Sequence, residues 1–204
     1  MSQEDPITIL IIFAGSIYLL KLWLQDFRAH VLGTPNPRAL PGTSPAPRTL
    51  IWAGVIGALA ILGLETGGEY ALGISGEQSN ITWLYLLAMI AAAFLEEVIF
   101  RGYLVITKHG KAALILSIAG FSLLFALLHP FLWSWEDQGF QIHLTLKAAF
   151  STGIILLNGL WFYCLRFSAK NTTNSLIPSI AAHLSSNIGV FIIKLAQGHV
   201  TGLY

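Results

Sequence analysis

Long apolar runs are the feature that most constrains how this chain can fold. Crossing about 30 Å of hydrocarbon takes about 20 helical residues, because each residue advances the helix by about 1.5 Å. Only helices or closed barrels satisfy their backbone groups in lipid, and these runs lack the alternation of barrel strands. We therefore predict an all-α integral membrane protein, a polytopic bundle of about six transmembrane helices with an intramembrane polar cavity. The predicted spans are residues 7–23, 50–64, 81–106, 112–133, 146–165 and 175–195, and the short second span could extend into the glycine-rich segment ETGGEYALGI.

The composition agrees with burial in a lipid bilayer. Of the 204 residues, 55% are hydrophobic and only 10% are charged, whereas soluble domains carry about 25% charged residues. The formal net charge is only +1. Such a chain has no strong positive potential to attract nucleic acid, so we expect no nucleic-acid partner. The N-terminus begins with acids and lacks the basic segment of a secretory signal, so we expect the first run to be a retained span.

Basic residues are concentrated in every second loop between the predicted spans. Lysine and arginine follow spans one, three and five, whereas the second loop contains only the acids Glu65, Glu69 and Glu77. Because basic loops stay in the cytoplasm, we predict that the first, third and fifth loops are cytoplasmic and that both termini lie outside. Residues 1–79 would form two transmembrane helices with a proline-rich cytoplasmic loop, residues 80–197 a core of four transmembrane helices, and residues 198–204 a short tail.

Ionisable and polar groups interrupt three of the predicted spans. A charged side chain near the membrane centre costs at least about 2.5–3.5 kcal/mol, so such residues normally face a protein interior or a wet cavity. One pair could be structural, but the set together favours a functional site. Its members are Glu96, Glu97 and Arg101 in span three, His129 in span four, and His183 and Asn187 in span six.

The spacing within each span assigns different roles to these groups. Glu97 and Arg101 are four residues apart and can form an ion pair on one helix face. Glu96 is rotated by about 100° from Glu97, so it is left to accept a proton from water. Phe125 shares a face with His129, as His183 does with Asn187. On straight helices, however, His129 would lie about 25 Å deep and Glu96 about 12–15 Å deep.

These residues resemble the motifs of the CPBP (CAAX protease and bacteriocin-processing, or Abi) family of intramembrane glutamate-type endopeptidases. Glu96-Glu97-x-x-x-Arg101, Phe125-x-x-x-His129 and His183-x-x-x-Asn187 occur in the family's order, each on an apolar helix. The segment FSTGIILLNGLWF is similar to a glycine-containing helix of the family. The likeness covers roughly residues 80–195, which would then be the protease core.

The resemblance implies an enzyme, an endopeptidase that hydrolyses a peptide bond of a membrane-associated or lipid-anchored protein. It further implies that Glu96 and His129 activate water, that His183 and Asn187 polarise the scissile carbonyl, and that Glu97, Arg101 and Phe125 support them. No cofactor is expected. If a zinc site exists, Glu96, His129 and His183 are its candidate ligands, although no His-Glu-x-x-His segment is present. The expected location is a prokaryotic cell (inner) membrane, as a multi-pass protein.

Two other functions stay open on the sequence. A membrane immunity or partner-binding protein could use the same fold without catalysis, and a proton-coupled transporter could use buried acids and histidines as a relay. Nothing in the sequence selects among prenylated tails, leaders and sorting tails as substrates.

Overall fold

The computed structural model describes residues 5–136 and 139–204, apart from the side chain of Glu136. Within these ranges, five helices are long and apolar enough to cross a membrane. A sixth helical segment is split in two, and a short hairpin precedes α5. The elements are α1 (Pro6–Val31), α2 (Arg48–Ala71), α3 (Tyr85–Glu96), a π-helix (Glu97–Tyr103), α4 (Gly110–Leu128), β1 (Trp133–Glu136), β2 (Gly139–Ile142), α5 (Leu146–Arg166) and α6 (Ile177–Ala196).

The first two helices are longer than predicted. α1 begins at a cap in which the Asp5 carboxylate accepts a hydrogen bond from the Thr8 amide, and it continues to Val31. Its last turn carries basic groups, which suit the negative end of a helix dipole. α2 continues to Ala71, so Glu65 and Glu69 are helical and not part of a loop. The apolar runs underestimate the lengths of both helices, because a helix can continue beyond the point where its residues become polar.

The third predicted span begins later and changes its winding. Ile81 lies outside the helix and pairs with Val200 of the C-terminal segment. α3 then runs for 12 residues, and the 7-residue π-helix follows without a break. The two acids of the first motif fall at this junction, Glu96 as the last residue of α3 and Glu97 as the first of the π-helix.

The fourth predicted span ends earlier than expected, at Leu128. His129 adopts an extended backbone conformation, with φ −77° and ψ 127°. The proline at position 130 explains this, because its ring disfavours a helical conformation in the residue before it. The chain then forms an antiparallel hairpin in which Trp133 pairs with Ile142, a feature that the sequence did not predict.

The helices pack into one bundle around small and apolar side chains. α2 packs against α5 and α6, α1 against α3, α3 against α6, and α4 against α5. One buried cluster includes Ala58, Phe162 and Ala182, whereas many large apolar side chains on the outer helix faces are exposed. In a chain of this composition, those outer faces meet lipid. The predicted all-α, polytopic membrane fold is confirmed.

The proline-rich loop folds back onto the bundle. Its residues 41–44, here called the strap, contact three helical elements. The Trp23 indole donates to the Pro41 carbonyl at 3.1 Å, and the Leu176 amide donates to the Gly42 carbonyl at 3.1 Å. Ser44 donates to the Thr173 carbonyl at 3.2 Å. The loops before α2 and before α6 therefore lie together, at what we call the basic-loop end; the hairpin marks the opposite end.

Candidate active site

A buried ion pair on the π-helix forms the centre of the polar cluster. Arg101 Nη1 lies 3.2 Å from Glu97 Oε1, and both side chains are 0% exposed. The pair predicted from the four-residue spacing is therefore present. Burying two charges together costs less than burying either alone, because each supplies the counter-charge that water would otherwise provide. Glu97 is thus held as a carboxylate that water does not reach.

Aromatic rings enclose the Arg101 guanidinium. Its central carbon lies 4.3 Å from the ring centre of Phe125, 5.0 Å from Phe162 and 5.1 Å from Tyr163. Arg101 Nη2 also donates to the Gly159 carbonyl at 3.3 Å. Ring faces attract cations, so Phe125 stabilises the Arg101 guanidinium. The same ring also contacts His129 and His183. A Cβ at position 159 would lie 3.3 Å from Ser122 Cβ and 3.4 Å from Arg101 Nη2, so glycine lets α5 pack closely here.

His183 connects the two glutamates. Its Nδ1–H donates to Glu97 Oε1 at 3.0 Å, and its Nε2 lies 3.7 Å from Glu96 Oε2. The Phe162 ring stacks on the imidazole with ring centres 4.8 Å apart. Since the Nδ1 hydrogen bond fixes which nitrogen carries the proton in the neutral ring, Nε2 is the nitrogen that faces Glu96.

The two adjacent carboxylates have different environments. The side chain of Glu96 is 29% exposed and that of Glu97 is 0% exposed. Glu96 Oε2 is itself buried and has no hydrogen-bond donor among the residues that the structure describes, so the exposed part of the side chain lies elsewhere. A carboxylate that is partly exposed can accept a proton from water, whereas Glu97 already binds Arg101 and His183.

His129 joins the cluster through Phe125. Its Nδ1–H donates to the Phe125 carbonyl at 2.8 Å, which leaves Nε2 as the acceptor. The Phe125 ring lies 4.7 Å from the His129 ring and 6.0 Å from the His183 ring, measured between centres. One phenyl ring thus contacts both imidazoles, despite the unequal depths expected on straight helices. Within the described chain, Glu96 and His129 share no hydrogen bond.

Asn187 lies one turn beyond His183 on α6 and contacts α3. Its Nδ2 donates to the Met89 carbonyl at 2.8 Å. This bond joins α6 to α3 near the acids and uses one of the two amide protons, so the second proton and the amide oxygen stay available.

Sequence reasoning missed three residues of α5 that build the cluster: Gly159, Phe162 and Tyr163. The Tyr163 hydroxyl lies 2.8 Å from the carbonyl oxygens of Phe100 and Leu104. Those carbonyls belong to the π-helix and its cap, so the tyrosine stabilises that unusual winding. The three residues share one helix face, and their spacing of three and four positions is the signal that could have revealed them.

The ligand set proposed for zinc does not assemble as a close group. Among the described residues, no three His, Cys, Asp or Glu side chains are arranged to hold a metal ion. Both ring nitrogens of His183 already face carboxylates, Nε2 that of Glu96 and Nδ1 that of Glu97. The His129 Nδ1 is bound to the Phe125 carbonyl.

Comparison with known proteins identifies the family. The sequence model of the type II CAAX prenyl endopeptidase Rce1-like family matches residues 78–189. No curated protein and no solved structure matches the chain. The matched segment makes up more than half of the chain and includes every residue of the three motifs. The chain belongs to the Rce1-like family of type II CAAX prenyl endopeptidases, a family of multi-pass membrane proteins.

Proposed function

We propose that the chain is an intramembrane endopeptidase with Glu96 as the base that activates water. The observation that carries this proposal is the contrast between the two adjacent acids. Glu97 is fully buried and paired with Arg101 at 3.2 Å, while the Glu96 side chain is 29% exposed and its buried oxygen Oε2 accepts no hydrogen bond from a described residue. A hydrolase needs one carboxylate that water can reach and a rigid support behind it.

In the proposed reaction, a water oxygen attacks the carbonyl carbon of the peptide bond and its proton passes to Glu96. His129 assists through its free Nε2. His183 and Asn187 donate hydrogen bonds to the oxygen on which negative charge develops. For His183 to donate through Nε2, its ring must carry a proton on both nitrogens, with the Nδ1 proton donated to Glu97 at 3.0 Å. The C–N bond then breaks, and the proton on Glu96 moves to the departing nitrogen.

Arg101, Glu97 and Phe125 act as supports in this scheme. Glu97 and Phe125 contact the histidines directly and Arg101 pairs with Glu97, so the three hold His183 and His129 in place. The proposal needs no metal, because Glu96 and His129 supply the base and His183 and Asn187 supply the donors. The substrate class is a membrane protein or a lipid-anchored peptide, processed at a CAAX-like tail, a leader or a sorting tail.

A reporter-peptide assay with the purified full chain tests the proposal. Glu96→Ala and His129→Ala should each abolish or reduce cleavage by at least about 100-fold, the usual contribution of a general base. Glu77→Gln, which removes an exposed acid outside the cluster, is the matched control and should cleave normally. Unchanged cleavage by the Glu96→Ala variant would reject the proposal.

A cellular experiment separates catalysis from partner binding. Loss of a phenotype on deletion, followed by full rescue with Glu96→Gln, would favour a non-catalytic immunity or partner-binding protein. Rescue by the wild-type chain alone supports the peptidase.

A further inference from the structure

Arg166, the last residue of α5, is a buried cation that forms no ion pair with any residue that the structure describes. It is only 8% exposed. Among the described residues, its Nε and Nη1 atoms are buried and have no hydrogen-bond acceptor. The Phe167 ring, 5.3 Å from the guanidinium carbon, is its neighbouring aromatic group. An aromatic ring compensates only part of the cost of burying a charge, so an oxyanion from outside the described chain fits this position.

Two acids on the neighbouring helical elements, Asp26 and Glu97, are already engaged. Asp26 accepts hydrogen bonds from Asn36 at 3.1 Å and from the Leu40 amide at 2.8 Å. Glu97 binds Arg101 and His183. Among the described residues, no carboxylate lies within ion-pair distance of the Arg166 guanidinium.

Arg166 lies on the face of α5 that builds the active-site cluster. Gly159, Phe162, Tyr163 and Arg166 follow the spacing of one helix face, and the first three contact Arg101, His183 and the π-helix respectively. Arg166 is four residues beyond Phe162, or about 6 Å along the helix axis. The same face thus presents first the catalytic cluster and then an unpaired cation.

We propose that Arg166 binds a carboxylate of the peptide substrate, on the side of the scissile bond nearer the basic-loop end. This inference rests on the proposed peptidase function. An extended peptide advances about 3.3 Å per residue, so a carboxylate about two residues from a bond held at His183 would reach the guanidinium. The planar guanidinium can bind both carboxylate oxygens. A lipid phosphate fits less well, because Arg166 is turned into the bundle and is only 8% exposed.

The test uses two forms of one reporter peptide that ends two residues after the cleaved bond, one with a free C-terminal carboxylate and one with a C-terminal amide. The full chain is reconstituted in neutral phosphatidylcholine vesicles. Wild-type protein should prefer the carboxylate form by about 10- to 100-fold in kcat/KM, as expected for a hydrogen bond to a charged group. Arg166→Gln should lose this preference, and Arg166→Lys should keep part of it.

The ratio of the two rates does not depend on how much protein folds, so it stays informative if Arg166→Gln lowers the yield. Equal cleavage of both peptides by wild-type protein would overturn the inference and leave the peptidase proposal standing. A preference that survives in Arg166→Gln would overturn it as well. A defect that appears only when phosphatidylglycerol is added would assign Arg166 to a lipid headgroup. Failure of wild-type protein to cleave any peptide would instead remove the proposed function itself.

Discussion

At the scale of single residues, two neighbouring acids should respond differently to the same change. Glu96→Gln should abolish cleavage with little effect on stability, because Glu96 Oε2 accepts no hydrogen bond from a described residue and its contact with His183 Nε2 is long, at 3.7 Å. Glu97→Gln should destabilise the fold by about 3–5 kcal/mol, since the fully buried Arg101 loses its counter-charge. Thermal unfolding in detergent, measured beside the cleavage assay with Glu77→Gln as control, checks both. Equal destabilisation by the two variants would contradict this division of roles.

At the scale of secondary-structure elements, the π-helix depends on a hydroxyl supplied by α5. Tyr163→Phe removes the group that lies 2.8 Å from the carbonyl oxygens of Phe100 and Leu104. The loss should cost about 1–3 kcal/mol and lower kcat more than it changes KM, because Glu97 and Arg101 are carried by the same element. Phe162→Leu tests the neighbouring contact with His183 separately. Wild-type kcat in Tyr163→Phe would show that the winding does not position the site.

The strap is the second element whose role can be measured. A Cβ at Gly102 of the π-helix would lie 2.7 Å from Pro41 Cγ, so Gly102→Ala must displace the strap or the π-helix. Overpacking of this kind costs about 1–3 kcal/mol, and we expect kcat to fall with it. Gly120→Ala in α4 is the matched control, because nothing lies within 4 Å of its Cβ position. If the two alanine variants unfold at the same temperature, the strap does not support the site.

At the scale of the whole molecule, the orientation in the membrane follows from the basic loops. We expect the loops before α2, α4 and α6 to face the cytoplasm and both termini to lie outside. Single cysteines introduced into these loops of a Cys164→Ser chain should resist an impermeant thiol reagent applied from outside, whereas cysteines at the termini should react. The reverse labelling pattern would invert the topology.

Metal independence is a second expectation at the scale of the whole molecule. Because the proposed chemistry uses only side chains of this chain, cleavage by the purified protein should persist after treatment with a zinc chelator. Loss of activity with chelator, and its recovery on adding zinc, would return Glu96, His129 and His183 to the role of ligands.

The sequence predicted what depends on neighbours along one helix. The Glu97–Arg101 pair and the shared face of Phe125 and His129 follow from helical spacing, and both are present. The π-helix could not be predicted, because its stabilising contact comes from Tyr163, about 60 residues away. The predicted end of α4 was too late. The apolar residues continue to Trp133, but the proline at position 130 ends the helix before it.

Contacts between helices explain the remaining differences. That His183 would bind Glu97 at 3.0 Å depends on how α6 packs against the π-helix. From the sequence, Arg166 is only one of the basic residues that follow span five. Its burial could not be predicted, because it depends on how the helices pack. The division of the chain at residue 79 stays a prediction; α1 and α2 pack directly on helices of the matched segment.

The most direct test of the central claim compares the termini of membrane-anchored proteins in cells that carry the wild-type chain or Glu96→Ala. It assumes no substrate sequence, so it asks only whether peptide bonds are cut and whether Glu96 is required. We predict that at least one membrane-anchored protein has a shortened terminus with the wild-type chain and an intact terminus with Glu96→Ala at equal expression. Identical termini in the two cell lines would contradict the account.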